Sequence, residues 1–114
     1  MSIHSNAKKM NRALSVFRDK ALPEAELQTL QVFLEVASQE DSKTPRSVGE
    51  LANLIGHHMS TAARAVFMLS VDRGKGVQGA GVLEATPDES DRRIRRITLT
   101  QKGRALLLEM FKEH

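Results

Sequence analysis

The sequence predicts a mainly α domain of the α+β class, in which helices at both ends flank two short helices and a two-stranded β wing. Three observations predict it. Apolar residues recur at helical spacing in several separate stretches, two of those stretches are short and joined by a tight turn, and a β-branched run follows a polar, turn-forming tip. The chain has 114 residues, room for one domain over 1–114 with a modest core.

Residues 6–21 place Met10, Ala13, Leu14 and Phe17 on one stripe, with Lys8, Lys9, Arg12 and Arg18 on the other faces. That pattern predicts a surface helix. A second helix is expected over 23–38, where Pro23 suits a first turn and Glu24 and Glu26 suit the positive end of the helix dipole. Its stripe reads Leu27, Leu30, Leu34 and Ala37, widened by Phe33 and Val36. Ser38 to Pro45 is a loop by composition.

Residues 47–70 carry the most informative pattern. Ser47 and Glu50 have the spacing of a capping box, and Val48, Leu51, Ala52 and Ile55 give the short amphipathic helix behind it. Gly56 ends that helix, because glycine adopts the left-handed conformation of a sharp stop. Another helix follows with Met59, Ala62, Ala65, Val66 and Leu69 as its expected buried stripe. Two short helices joined so closely make a helix-turn-helix. The outward face of the second would show Ser60, Thr61, Ala63, Arg64 and Phe67. Small polar groups and one Arg near a helix N-terminus suit a major-groove reader, because bulk there blocks approach to base edges. One of Ser60 and Thr61 is also expected to cap the helix.

After Leu69 the stretch SVDRGKGVQGA is Gly-rich and aperiodic. Gly74, Gly76 and Gly79 satisfy G-x-G-x-x-G, yet a helix precedes them and a strand follows, the reverse of what a dinucleotide site needs. Val82 and Leu83 open one strand, Ile94, Ile97 and Leu99 lie in a second, and TPDESDRR forms the charged tip between them. Residues 81–99 therefore read as a wing, and the whole as a winged helix-turn-helix. The last helix, 100–114 with Thr100 as N-cap, carries Leu106, Leu107, Leu108, Met110 and Phe111. That is more apolar surface than a small domain hides, which predicts a homodimer formed through the N- and C-terminal helices.

Composition removes other classes. About 40% of residues are apolar and 27% charged, and the net charge is +3. Residues 57–103 hold eight basic and five acidic side chains, against nine and nine outside, so the entire excess lies in the helix-turn-helix and wing. No apolar run approaches the roughly 18 to 20 residues of a membrane span, and MSIHSNAKKMN has no signal core, so a cytoplasmic protein without a membrane partner is expected. Zero Cys removes disulfides and thiolate zinc sites, and the adjacent His57 and His58 lack the spacing of a metal-ligand pair on a helix. The lack of Trp and Tyr argues against base-stacking platforms for single strands. Neither a metal, a cofactor nor an enzyme activity is expected.

From Leu51 to Gly103 the sequence resembles the multiple-antibiotic-resistance regulator (MarR) family of winged-helix transcription factors. The wing pattern D-x-R, five residues, L-T-x-x-G is met by Asp91, Arg93, Leu99, Thr100 and Gly103. Ser60, Thr61 and Arg64 look like the family's S-T-x-x-R, and Gly81, Val82, Leu83 and Glu84 look like the opening of its wing. The resemblance implies a dimeric regulator of transcription that binds double-stranded DNA, with the reading helix in the major groove and the wing in the adjacent minor groove. Ser60, Thr61, Ala63 and Arg64 are then the residues that face the major groove. Arg93 is expected to enter the minor groove, a narrow electronegative channel that suits an Arg. Asp91 is expected to orient Arg93 through a charge-assisted bond, since a carboxylate facing phosphate would be repelled. Arg92, Arg95 and Arg96 are expected on phosphates, with Arg73 and Lys75 of the Gly-rich stretch as further contacts. About four to six such contacts per protomer imply a log K against log salt slope on the order of −7 to −11 for a dimer, with half-sites roughly 10 to 11 base pairs apart.

The chain departs from the family at three places. Eleven residues separate Leu69 from Gly81 where family members have only a few, His57 stands at a usually apolar position, and only eleven residues follow Gly103. The terminal dimerisation helices thus look abbreviated, and the family's small-molecule effector pocket, which adjoins them, stays open. The same reading head would also serve a plasmid or phage replication or partition protein, while a winged helix used for protein–protein contact would lack specific DNA affinity.

Overall fold

Helix boundaries follow from a few short polar side chains. The computed structural model describes residues 2–41, 44–70 and 79–112. Ser2 accepts a 3.0 Å hydrogen bond from the Ser5 backbone N–H and so opens α1 (Ile3–Lys20), earlier than the expected residue 6. Helix α2 (Leu27–Ser38) starts later than the expected residue 23. The Leu22 N–H bonds the Phe17 carbonyl and the Ala25 N–H bonds the Leu22 carbonyl, so Pro23 belongs to a separate turn between the helices.

The buried face of α2 is also rotated from the expected stripe. Thr29, Leu30, Val32, Phe33 and Val36 are buried, whereas Leu27 is 71% exposed. The reason is that α2 meets α3, α4 and β2 together, so a wide arc centred on Phe33 replaces a single stripe. Phe33 meets Phe17 of α1 with ring centroids 5.4 Å apart and tilted by 54°, a favourable aromatic geometry that ties the first two helices.

Helix α3 (Val48–Ile55) carries the expected capping box: Ser47 Oγ accepts from the Glu50 N–H at 3.2 Å, and Glu50 Oε1 accepts from the Ser47 N–H at 3.0 Å. Gly56 ends it at φ +74°, as a left-handed cap requires. Helix α4 (Met59–Leu69) follows, and its N-cap is His58, without a side-chain cap bond. Ser60 and Thr61 therefore do not cap. Because helical backbone resumes at Met59, both already lie inside the first turn. Met59, expected in the buried stripe, is 63% exposed, and the stripe begins at Ala62.

The chain from Gly79 onward is stitched to the end of α4. The N–H groups of Ala80, Gly81 and Val82 bond the carbonyls of Met68, Ser70 and Leu69, which satisfies groups a helix end leaves open. Strands β1 (Leu83–Pro87) and β2 (Arg95–Leu99) pair antiparallel in the register Leu83↔Leu99 and Pro87↔Arg95. Ile94, read as part of the second strand, closes the tip instead: the Asp88 N–H bonds its carbonyl at 2.8 Å. Val82, Leu83 and Ile97 enter the core and hold the wing's base.

Thr100 caps α5 (Gln101–Met110), accepting from the Gly103 N–H at 3.0 Å while its hydroxyl donates to the Gly81 carbonyl at 2.6 Å. A Cβ on Gly103 would stand 2.1 Å from the Val82 carbonyl oxygen, so only glycine lets α5 approach the wing this closely. Helix α5 packs on α1, and Arg12 Nη1 donates to the Glu109 and Met110 carbonyls at 3.0 and 3.2 Å, a cation at the negative end of the helix. Leu106 and Met110 are buried, whereas Leu108 and Phe111 remain exposed, as do Ile3, Met10 and Leu14 on α1.

Candidate nucleic-acid interface

The outward face of α4 is set by its spacing. With Ala62, Ala65, Val66 and Leu69 buried, Ser60, Ala63, Arg64 and Phe67 are exposed and Thr61 is half-buried. Arg64 makes no hydrogen bond or ion pair to other described residues. Together with Ser60 and Thr61 it lines a shallow cavity of about 300 Å³, whose other side carries Glu24, Glu26 and Thr29.

The wing tip is wound around one carboxylate. Asp88 Oδ2 accepts from the Ser90 N–H at 3.0 Å, the Ser90 hydroxyl at 2.6 Å and the Asp91 N–H at 3.1 Å, while Oδ1 accepts from Arg96 Nε at 3.1 Å. The Ser90 hydroxyl first, and then Arg96, hold its pKa down to about 2. Beyond this knot Asp91 grips Arg93. Its Oδ1 accepts from the Arg93 backbone N–H at 3.1 Å and from Nε at 3.0 Å, and its Oδ2 accepts from Nη2 at 3.1 Å. The pairing lowers the pKa of Asp91 and raises that of Arg93. Arg93 nonetheless keeps 91% of its side chain exposed, so a pre-oriented cation stands in solvent at the tip. Arg92 and Arg95 are exposed and without a partner among the described residues.

Arg96 departs from expectation. Its side chain is only 24% exposed, and Nη1 donates to Glu50 Oε1 at 2.9 Å and to the Pro45 carbonyl at 3.2 Å while Nε holds Asp88. Two of its three guanidinium nitrogens are thus engaged within the protein, and Arg96 is less exposed than Arg92 and Arg95. It joins the wing to the start of α3, next to the bridge between Ser47 and Arg96. The pKa of Glu50 is lowered, chiefly by the Ser47 N–H and also by Arg96. The sequence pattern placed Glu50 in the α3 capping box and Asp88 in the wing tip, but not the bonds from Arg96 that join them. The spacing of Asp88 and Ser90 is an Asx-turn signal, whereas nothing local announces the bond from Arg96 to Glu50. Arg73 and Lys75 lie outside the described residues.

Among the described residues no three His, Asp or Glu side chains come together as metal ligands, and no helix is long and apolar enough to cross a membrane. No family model and no curated protein matches the sequence. Solved structures do. The transcriptional regulator Tm0710 from Thermotoga maritima matches with a TM-score of 0.66 at 24% identity, over 94% of this chain and 65% of that one. The transcriptional repressor CouR, bound to a 23-mer DNA duplex, matches with a TM-score of 0.59 at 21% identity and the same coverage. BpsR from Bordetella bronchiseptica, whose DNA binding is regulated by 6-hydroxynicotinic acid, matches with a TM-score of 0.52 at 21% identity, over 94% of this chain and 73% of that one.

The chain has the winged helix-turn-helix fold. It is the fold that the resemblance to the MarR regulators implied. The winged helix described here spans 65% of the length of Tm0710 and of CouR. Within it, α3 and α4 form the helix-turn-helix, and β1 and β2 form the wing that presents Arg93.

Proposed function

We propose that this winged helix is a transcription regulator that binds double-stranded DNA sequence-specifically, with α4 in the major groove and the wing in the adjacent minor groove. The observation that carries the reading is Arg93, solvent-exposed at the wing tip and held at two nitrogens by Asp91. A guanidinium fixed in this way loses little further freedom on entering a narrow groove. Ser60, Ala63 and Arg64 offer base edges a small, polar surface, and Arg92 and Arg95 flank the tip for phosphates. With Arg96 engaged internally, about three to five phosphate contacts per protomer remain, for a dimer salt slope on the order of −5 to −9. CouR, of the same fold, is bound to duplex DNA, which supports the reading.

The protein acts as a homodimer in this proposal. Ile3, Met10 and Leu14 on α1 and Leu108 and Phe111 on the adjoining α5 leave apolar surface uncovered on packed helices, suited to a second copy. Selection of bound duplexes from a random DNA pool tests the function. One sequence class should be enriched, and Arg64→Ala and Arg93→Ala should each weaken binding to it by about 1 to 3 kcal/mol. No enrichment, or two variants that bind like the parent, would end the proposal.

A further inference from the structure

Met59, Ala63 and Phe67 stand four residues apart on α4, so they run along one side of the helix with about 40° of rotation per step. All three are exposed, Met59 at 63% and Phe67 at 46%. Ser60 and Arg64 repeat the same spacing one position on. The outward face of the helix therefore has two parallel lanes, one apolar and one polar.

Their surroundings differ. The polar lane borders the α2 turn, where Ser60, Thr61 and Arg64 face Glu24 and Glu26 across the shallow cavity. Met59, which opens the apolar lane, shares a groove with Ser47, Arg93 and Arg95 at the wing. Met59 and Ala63, exposed as they are, add little to the stability of the chain by burial, so their gain comes when something covers them. The groove that Met59 shares carries Arg93, Arg95 and Arg96 against a single carboxylate, Glu50, so it favours an anionic occupant. Duplex DNA fits both demands, because its major groove carries one apolar group amid phosphates, the C5 methyl of thymine.

We infer that Met59 and Ala63 are specificity-determining residues that select thymine by its methyl group in the half-site facing the first turns of α4, with Phe67 extending the same lane. The inference rests on the DNA-reading function proposed above and adds which base is read and by which side chains. Residues at the N-terminal end of a reading helix reach base edges most directly, which places Met59 and Ala63 ahead of Phe67.

The test uses the full chain and a duplex enriched from a random pool, resynthesised with each thymine replaced in turn by deoxyuridine, which lacks only the methyl. Affinity should fall about fourfold at one or two positions per half-site, the worth of one buried methyl-sized group, and stay unchanged elsewhere. In Met59→Gln or Ala63→Ser that sensitivity should vanish at the matching position, at an unchanged melting temperature, since both residues are exposed. An enriched duplex that tolerates deoxyuridine everywhere, or keeps its sensitivity in both variants, overturns the thymine assignment and leaves DNA reading standing. If no duplex is enriched, the DNA-reading proposal itself fails and the assignment falls with it.

Discussion

Arg96 and Glu50 stand 46 positions apart in the chain and meet through a 2.9 Å hydrogen bond from Nη1 to Oε1. Glu50 also caps α3 through Ser47, and Arg96 also holds Asp88 at the wing tip, so one chain of polar contacts runs from the helix-turn-helix to the wing. It joins the two elements that are proposed to face DNA.

Arg96→Met, which keeps most of the aliphatic stem, should therefore lower stability by about 1 to 2 kcal/mol in urea denaturation, since the pair is partly solvated. It should weaken specific DNA binding without changing the salt slope. Arg95→Ala, by contrast, should reduce that slope by about 1 per protomer. A slope that drops in Arg96→Met would place Arg96 on phosphate after all.

The same contacts make the wing acid-sensitive. The pKa of Asp88 is depressed to about 2 from 3.8, so its contribution is fully present above the unfolded value and is lost as pH falls through the folded one. Melting temperatures of the parent and of Asp88→Asn should differ most above about pH 5 and converge towards pH 2. A gap that is constant across this range would mean that the Asp88 charge does not matter.

How far the sequence was legible follows from the range of each interaction. Ser47–Glu50, Gly56 and Thr100–Gly103 are contacts within a few residues, and all appear where their spacing places them. The α2 stripe was misread because its buried face is decided by three partners at once, and Leu27 is exposed although it has the right spacing. Met59 is exposed because it lies at the edge of the α4 stripe, about 70° from the mean direction of Ala62, Ala65, Val66 and Leu69. Arg96 looked like one more wing cation because Glu50, which binds it, lies in a different element.

Gly103 gives a sign test of packing against propensity. Ala favours a helix over Gly by about 1 kcal/mol, yet a Cβ here would meet the Val82 carbonyl at 2.1 Å. Gly103→Ala should destabilise the chain by about 1 to 3 kcal/mol, while Gly49→Ala in α3, where nothing lies within 4 Å, should be neutral or stabilising. Thermal unfolding of both variants is the check, and a stabilised Gly103→Ala would show that α5 does not rest on the wing as described.

Asp91→Asn separates orientation from charge. The substitution removes one negative charge near a polyanion, so simple electrostatics predicts tighter binding to any duplex. The geometry predicts otherwise for a specific site. Asp91 holds Arg93 by its backbone N–H and by two guanidinium nitrogens, and an amide accepts at only one of its two side-chain atoms. Arg93 should then lose its fixed pose and must be ordered as it enters the groove, at an entropic cost of about 0.5 to 1.5 kcal/mol for such a side chain. Specific affinity should fall roughly three- to tenfold, while affinity for random duplex rises or holds. Both are read in one titration series with the selected duplex and a scrambled competitor. If specific and random affinity rise together, Asp91 acts only as a charge, and the wing tip is not pre-oriented.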